Sequence, residues 1–318
     1  MTAMTLDFLA IGLVTLDVTV RPIDRLPEGE GTVLVERIAL SPAGTAAGAA
    51  LVAARLGLKA GVSGAVGDDA QGPVVCGLLD QGGVDTRLLR TLPGLPTSTT
   101  VLAINSAGGR PNFHALGAAM AYTLDEDVAA TAAASRFVHW GAVGTPGLAA
   151  EQAAALLRRV RDAGGTTSCD LIAPRPGVAD DLAVILPHVD WFLPSRAEAC
   201  AITGIDDLER AGDALLAMGA GNVIIKDGGN GAWMTLTDGR RMGIAAHAIE
   251  AIDTTSCGDS FCAGFISALS RGWDPVEAAR FGAATAALVA QAVGTTGRLV
   301  NFAETAEAMS AMPLKESA

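Results

Sequence analysis

Apolar residues along the chain gather in short runs separated by glycine, proline and acidic residues. Residues 7–12, 60–66, 137–142, 166–172, 189–194 and 222–226 are such runs, and their length and Val/Ile/Leu content predict buried strands. Residues 33–40 alternate instead, as do 97–105 and 110–116, the latter two joined by Ser106-Ala107-Gly108-Gly109, which predicts a small antiparallel sheet. Helical spacing appears in the Ala-rich stretch ending at Gly57, in 151–163 before Gly164-Gly165, in 261–269 before Gly272, and in 275–293. A further helix opens at Ser195-Arg196-Ala197-Glu198, and another follows the turn that ends at Gly72. Residues 247–252 read as a strand or its end, 222–233 as strand, glycine turn and strand, and the polar tail after Pro313 is expected to fray.

Strands alternating with helices point to an α/β protein with a mainly parallel sheet. Half of the 318 residues are apolar, only 18% are charged and 4% are aromatic, so the core must be built from Ala, Val, Leu and Ile. A formal charge of −12 argues against nucleic acid as partner, which clustered Lys and Arg would serve. The five cysteines are odd in number, widely spaced and free of any C-x-x-C pair, as in a reducing compartment without structural zinc. Neither a basic leader nor a long apolar span is apparent, so a cytoplasmic protein without membrane contact is expected.

The chemistry concentrates in residues 252–265, I-D-T-T-S-C-G-D-S-F-C-A-G-F. The first turn of a helix leaves backbone N–H groups unpaired and carries partial positive charge. Small residues there, Ser256, Cys257 and Gly258, let a phosphate approach those groups closely. A carboxylate in the same turn, Asp259, is placed to take a proton from an incoming hydroxyl, an assistance worth roughly 10²–10⁴ in rate. The spacing alone serves equally well for an acid that merely favours the helix dipole.

This stretch resembles the second signature of the ribokinase (PfkB) family of carbohydrate and nucleoside kinases, whose usual form is D-T-T-G-A-G-D. Asp253, Thr254, Thr255, Gly258, Asp259, Ala263 and Gly264 are kept, while Ser256 and Cys257 replace Gly and Ala. The resemblance implies Asp259 as catalytic base and the peptide N–H groups of Ser256, Cys257 and Gly258 as the anion hole. It also implies a sugar-binding role for Asp17, which closes G-L-V-T-L-D after the first strand. Residues 41–57 resemble the first signature, G-G-x-x-x-N-x-A-x-x-x-x-x-L-G, through Gly44, Ala50, Leu56 and Gly57. Ala43 replaces its first Gly, and Gly48 stands where relatives hold a sugar hydroxyl with Asn. That loss disfavours ribose and either leaves room for a bulkier acceptor or impairs the site.

Further matches follow in order. Ser195 and Glu198 stand for the family's N-x-x-E, which organises the metal and phosphates through water, although Ser three residues before Glu is also a capping box. Lys226, Gly228 and Gly231 match the K-x-G-x-x-G segment that lies against the nucleotide phosphates. Asp253 and Thr255, with the loop after the 275–293 helix, correspond to a monovalent-cation (K⁺) site. His114 and Arg110 sit where the family's second lid strand returns to the core; an acid-sugar clamp at Arg110 has no support in the sequence. No G-x-x-x-x-G-K-[ST] occurs, which excludes a P-loop mechanism, and no G-x-G-x-x-G follows a strand near the N-terminus, so an oxidoreductase on a doubly wound sheet lacks its main support and would need nicotinamide binding.

The resemblance therefore implies a ribokinase-like α/β fold: one domain over residues 1–318, a mainly parallel sheet flanked by helices on both faces, and a small β lid from segments 18–40 and 97–116. The implied activity is ATP- and Mg²⁺-dependent phosphorylation of a hydroxyl on a sugar or nucleoside, with a homodimer through the lid. The rival reading is a sugar- or nucleoside-binding regulatory protein that keeps the fold without turnover, favoured by Ala43, Gly48 and Ser195.

Overall fold

The computed structural model describes residues 5–173 and 175–315. The chain runs β1 (Phe8–Gly12), β2 (Thr15–Arg21), β3 (Arg37–Ala43), β4 (Ala60–Gly67), β5 (Asp85–Leu92), β6 (Thr99–Ala103) and β7 (Asn112–Ala115). It continues with β8 (Phe137–Val143), β9 (Thr166–Leu171), β10 (Trp191–Phe192), β11 (Asn222–Lys226), β12 (Ala232–Leu236) and β13 (Arg241–Ile244). Nine strands form one sheet in the order β13-β12-β11-β10-β9-β8-β1-β4-β5, parallel except for β12 and β13. Apolar clusters lie on both of its faces, one under helices Thr45–Arg55, Cys257–Leu269 and Pro275–Ala290, the other under Ala150–Asp162, Val178–Ile185 and Leu208–Ala217. Strands covered on both faces have no polar side to show, which is why β1 and β4 are buried throughout.

The helices over the first cluster approach closely because their contact positions carry small residues. A Cβ on Gly264 would stand 2.8 Å from Thr285 Cβ and 3.1 Å from Gly282 Cα, so this crossing requires glycine. The close packing fixes where helix Cys257–Leu269 begins, and with it the position of Asp259.

A second sheet has the order β3-β2-β6-β7, with β2 and β6 parallel and the outer pairs antiparallel. Asp17 lies within β2, buried, where the sequence placed it in a connection after the first strand. The alternating run 33–40 becomes strand only from Arg37 onward, because β2 ends at Arg21, whose carbonyl accepts from Glu36 N–H at 3.0 Å and leaves residues 33–35 without a strand to pair with. Leu34 is accordingly almost fully exposed.

Residues 247–252 do not form a strand. His247 makes one isolated bridge to Leu314, while Lys315 N–H donates to Ala246 O and Ala248 N–H to Pro313 O, each at 2.8 Å. The same bonds hold residues 313–315, where fraying was expected; residues 316–318 lie outside the described residues. The 275–293 helix stops at Ala290, and the 189–194 run shortens to the two residues of β10.

Candidate functional site

Carboxyl ends of the central parallel strands, the small sheet and the N-terminus of helix Cys257–Leu269 enclose a cleft of about 980 Å³. Such a position, beyond the ends of parallel strands, is where open α/β sheets take ligands. Asp17, Gly44, Ser195, Glu198, Lys226, Gly228, Gly231 and residues 255–259 all line it, although the motifs that carry them span the chain. Gly44, at φ 91°, turns the chain into helix Thr45–Arg55.

At one end Asp17 shares the wall with Thr15 and Thr100. Burial pushes its carboxyl up to about 6, against hydrogen bonds from those two hydroxyls that pull it down. Asp259 stands in the first turn of its helix. Burial, and then the nearby Asp170 carboxylate, raise it to about 8, with Lys226 and the Ser256 hydroxyl opposing.

Behind Asp259 lies a charged network that the sequence did not reveal. Lys226 Nζ is 3.4 Å from both Asp170 Oδ2 and Cys262 Sγ. His139 Nε2 faces Asp170 Oδ1 at 3.4 Å without hydrogen-bond geometry, and His139 Nδ1 meets Ser168 Oγ at 3.0 Å. Burial alone would lower the Lys226 ammonium, but Cys262, Asp170, Glu198 and Asp259 around it together raise it. Burial likewise works against the Asp170 carboxylate, yet Lys226 and His139 hold it below the ordinary range. His139, Asp170 and Cys262 gather closely enough for a metal, but the ammonium already stands among them. The only sequence signal for Asp170 was its place at the end of a buried strand.

Ser195 and Glu198 form the capping box: Ser195 N–H donates to Glu198 Oε2 at 2.7 Å and Glu198 N–H to Ser195 Oγ at 3.3 Å. Glu198 Oε1 has no hydrogen-bond partner among the described residues, so the cap leaves an oxygen for the cleft. Burial raises this carboxyl, against the pull of Lys226. A metal ion held with phosphates suits an acid of this kind, so the donor set fits Mg²⁺.

Two expected site residues do not line the cleft. Asp253 is buried, with Oδ1 accepting from Thr255 N–H at 2.9 Å and Thr255 Oγ1 at 2.5 Å, and Oδ2 from Gly294 N–H at 3.0 Å. Arg110 reaches across from the β6–β7 connection and donates to Thr255 Oγ1 at 3.0 Å. The Asp253 carboxylate thus ties two loops. Gly48 lies beneath the cleft, where a Cβ would be 2.9 Å from Asp259 Oδ2. No room for a bulkier acceptor opens there, because Asp259 and Ser256 occupy it.

Ala283, Ala286, Ala287 and Ala290 of helix Pro275–Ala290 line the same cleft, as do Gly228 and Gly229. These side chains are small and apolar.

The profile of pfkB family carbohydrate kinases matches residues 7–300. The chain belongs to this family. It is 30% identical over 305 residues to a fructokinase of Klebsiella pneumoniae, covering 92% of this chain and 94% of that protein. A nucleoside kinase of Methanothermobacter thermautotrophicus is 28% identical over 318 residues, covering 95% and 94%. Among solved structures, Arabidopsis thaliana ribokinase complexed with ribose and ATP superposes with a TM-score of 0.80 at 23% identity, covering 96% of this chain and 99% of that one. That likeness carries the ribokinase-like fold, and the sequence matches carry membership among carbohydrate and nucleoside kinases. No helix among the described residues is long and apolar enough to cross a membrane.

Proposed function

We propose that this pfkB-family kinase transfers the γ-phosphoryl group of ATP to a hydroxyl of a sugar or nucleoside, with Asp259 as base. One observation carries the reading: Asp259 and residues 256–258, where the N–H groups of Ser256 and Gly258 have no partner among the described residues and Cys257 N–H makes only a long bond of 3.4 Å to Thr254 O, line the same cleft as Asp17 and Lys226. Asp17 accepts hydrogen bonds from acceptor hydroxyls and orients the reacting one. Asp259 takes its proton, and the N–H groups of Ser256, Cys257 and Gly258 hold the phosphoryl oxygens. Transfer of this kind is mostly positioning and electrostatics.

Lys226 supports the phosphate side; a Cβ on Gly258 would lie 3.5 Å from its ammonium, so the absent side chain leaves that path open. The alanines of helix Pro275–Ala290 that line the cleft take the base of the nucleotide, with Gly228 and Gly231 along its phosphates. Glu198, with Ser195 fixing its orientation, would hold Mg²⁺ through water. When bound, that ion supplies positive charge to the phosphates. No step is assigned to a monovalent cation.

The small sheet acts as a lid over the acceptor, within segments 18–40 and 97–116, and Arg110 on Thr255 is one of its contacts with the body, as is Thr295 Oγ1 on Pro42 O at 2.6 Å. Ile38, Leu40 and Phe113 are exposed on this sheet, which supports a homodimer through the lid. The test is ADP release with Mg²⁺-ATP across sugars, sugar acids, sugar phosphates and nucleosides. Turnover that Asp259→Asn abolishes supports the proposal; ligand-induced melting shifts without turnover of any acceptor would replace it with the binding-protein reading.

A further inference from the structure

The antiparallel pairing of β2 with β3 sets Arg21 directly opposite Arg37. Residues so paired share one face of the sheet with Cβ atoms about 4.5–5.5 Å apart, and like charges placed there repel. A third guanidinium joins them from the body of the protein. Arg298, in the turn after helix Pro275–Ala290, lines with Arg21 and Arg37 a second cavity of about 260 Å³. This cavity shares no lining residue with the main cleft.

None of the three guanidinium groups makes an ion pair or a hydrogen bond among the described residues. Elsewhere in this chain of charge −12, arginines readily find acids: Arg90, Arg196 and Arg241 each meet an aspartate at 2.6–3.0 Å. Glu36 is the one acid lining the cavity, and its carboxylate pairs with none of them. Its backbone is engaged instead, Glu36 N–H donating to Arg21 O at 3.0 Å. Three cations against one carboxylate leave the lining with a formal charge of +2. An anion in the cavity turns their mutual repulsion into attraction. Guanidinium forks match the oxygens of a phosphate group, two N–H donors to a pair of oxygens. The volume is below the range of about 300–1,000 Å³ usual for larger organic ligands, so it suits a compact anion and not a nucleotide.

We propose that this cavity is a second binding site, for a phosphate group that is free or carried on a small metabolite, held between Arg21 and Arg37 of the small sheet and Arg298 of the body. It stands apart from the residues assigned to phosphoryl transfer and does not depend on that reading. Its occupant touches two segments that matter to the main cleft. β2 carries Asp17, and the turn before Arg298 supplies the Gly294 N–H that holds Asp253. Ile252, directly before Asp253, lines the cavity as well. A bound phosphate therefore adds a tie between the small sheet and the body.

The test is hydrogen exchange of the full chain titrated with inorganic phosphate, and separately with glucose 6-phosphate, at an ionic strength held constant with sodium chloride. Phosphate should slow exchange in residues 18–21, 36–38 and 291–298. Arg21→Gln, Arg37→Gln and Arg298→Gln should each weaken that binding by about tenfold, or about 1.4 kcal/mol. Arg37→Glu supplies a carboxylate from the chain itself. Without phosphate it should melt higher than wild type, and phosphate should no longer protect the three segments. A lower midpoint for glucose 6-phosphate assigns the site to a sugar phosphate, and a lower midpoint for inorganic phosphate assigns it to the free ion; either supports the site. Protection confined to residues 255–259 would place the phosphate in the main cleft and overturn the proposal. Protection reproduced by sodium chloride alone, or glutamine variants that titrate like wild type, would overturn it too.

Discussion

Lys226 Nζ and Asp170 Oδ2 lie 3.4 Å apart beneath the cleft, on strands separated by β10 in the sheet. The pair is buried, so removing one member leaves an unpaired charge. Lys226→Met should cost about 3–5 kcal/mol in stability by denaturant unfolding. Lys226→Met with Asp170→Asn should cost clearly less than the sum of the two single changes. Additive losses would mean that the contact carries no coupling.

Asp259 should reveal itself through pH. With its carboxyl raised to about 8, the base form is gained as pH rises, so kcat/KM should climb on its acid side and level off above about 8. Asp259→Asn should lower turnover by about 10²–10⁴ or more. A profile flat between pH 6 and 9, as measured by coupled ADP production, would count against Asp259 as base.

The same shift has a stability consequence of opposite sense. A carboxyl raised in the folded state favours folding below its unfolded value, and that contribution is lost as pH rises through about 8. Asp259→Asn should therefore melt higher than the native chain at pH 9, with the difference shrinking toward pH 5. Scanning calorimetry at both pH values checks the sign.

Asp17 offers a separation of roles. Asp17→Asn keeps the shape of the side chain and removes a charge that burial disfavours. It should raise the acceptor KM while leaving the KM for ATP nearly unchanged. Equal rises in both constants would show that the residue supports the whole cleft instead of the acceptor end.

Ser195→Ala removes a helix cap and should cost about 1 kcal/mol. Because the cap also aims Glu198, the Mg²⁺ requirement for turnover should rise with it. A loss of stability with an unchanged Mg²⁺ dependence would reduce Ser195 to a cap alone.

Local rules were enough to read much of this protein. Buried strands β1, β4, β8, β9 and β11 follow from short apolar runs, and the glycine-punctuated entry to helix Cys257–Leu269 follows from residues 252–265. Family membership followed from ordered motifs, because each motif is a short contiguous piece of chain. Local rules failed where a backbone needed a partner elsewhere. Residues 33–35 look like strand but lie beyond the end of β2, and His247 and Ala248 pair with the C-terminal tail instead of a sheet. They also failed where side chains distant in sequence converge. Nothing near Asp170 predicts that Lys226, His139 and Cys262 will surround it, and nothing near Gly48 predicts that Asp259 and Ser256 will fill its space. The sequence by itself determined the elements and the motif at the helix N-terminus, since those depend on neighbours along the chain. Only the tertiary structure decided the charge environment of Asp259 and the loss of position 48 from the cleft, because burial and close contact arise when separate elements pack.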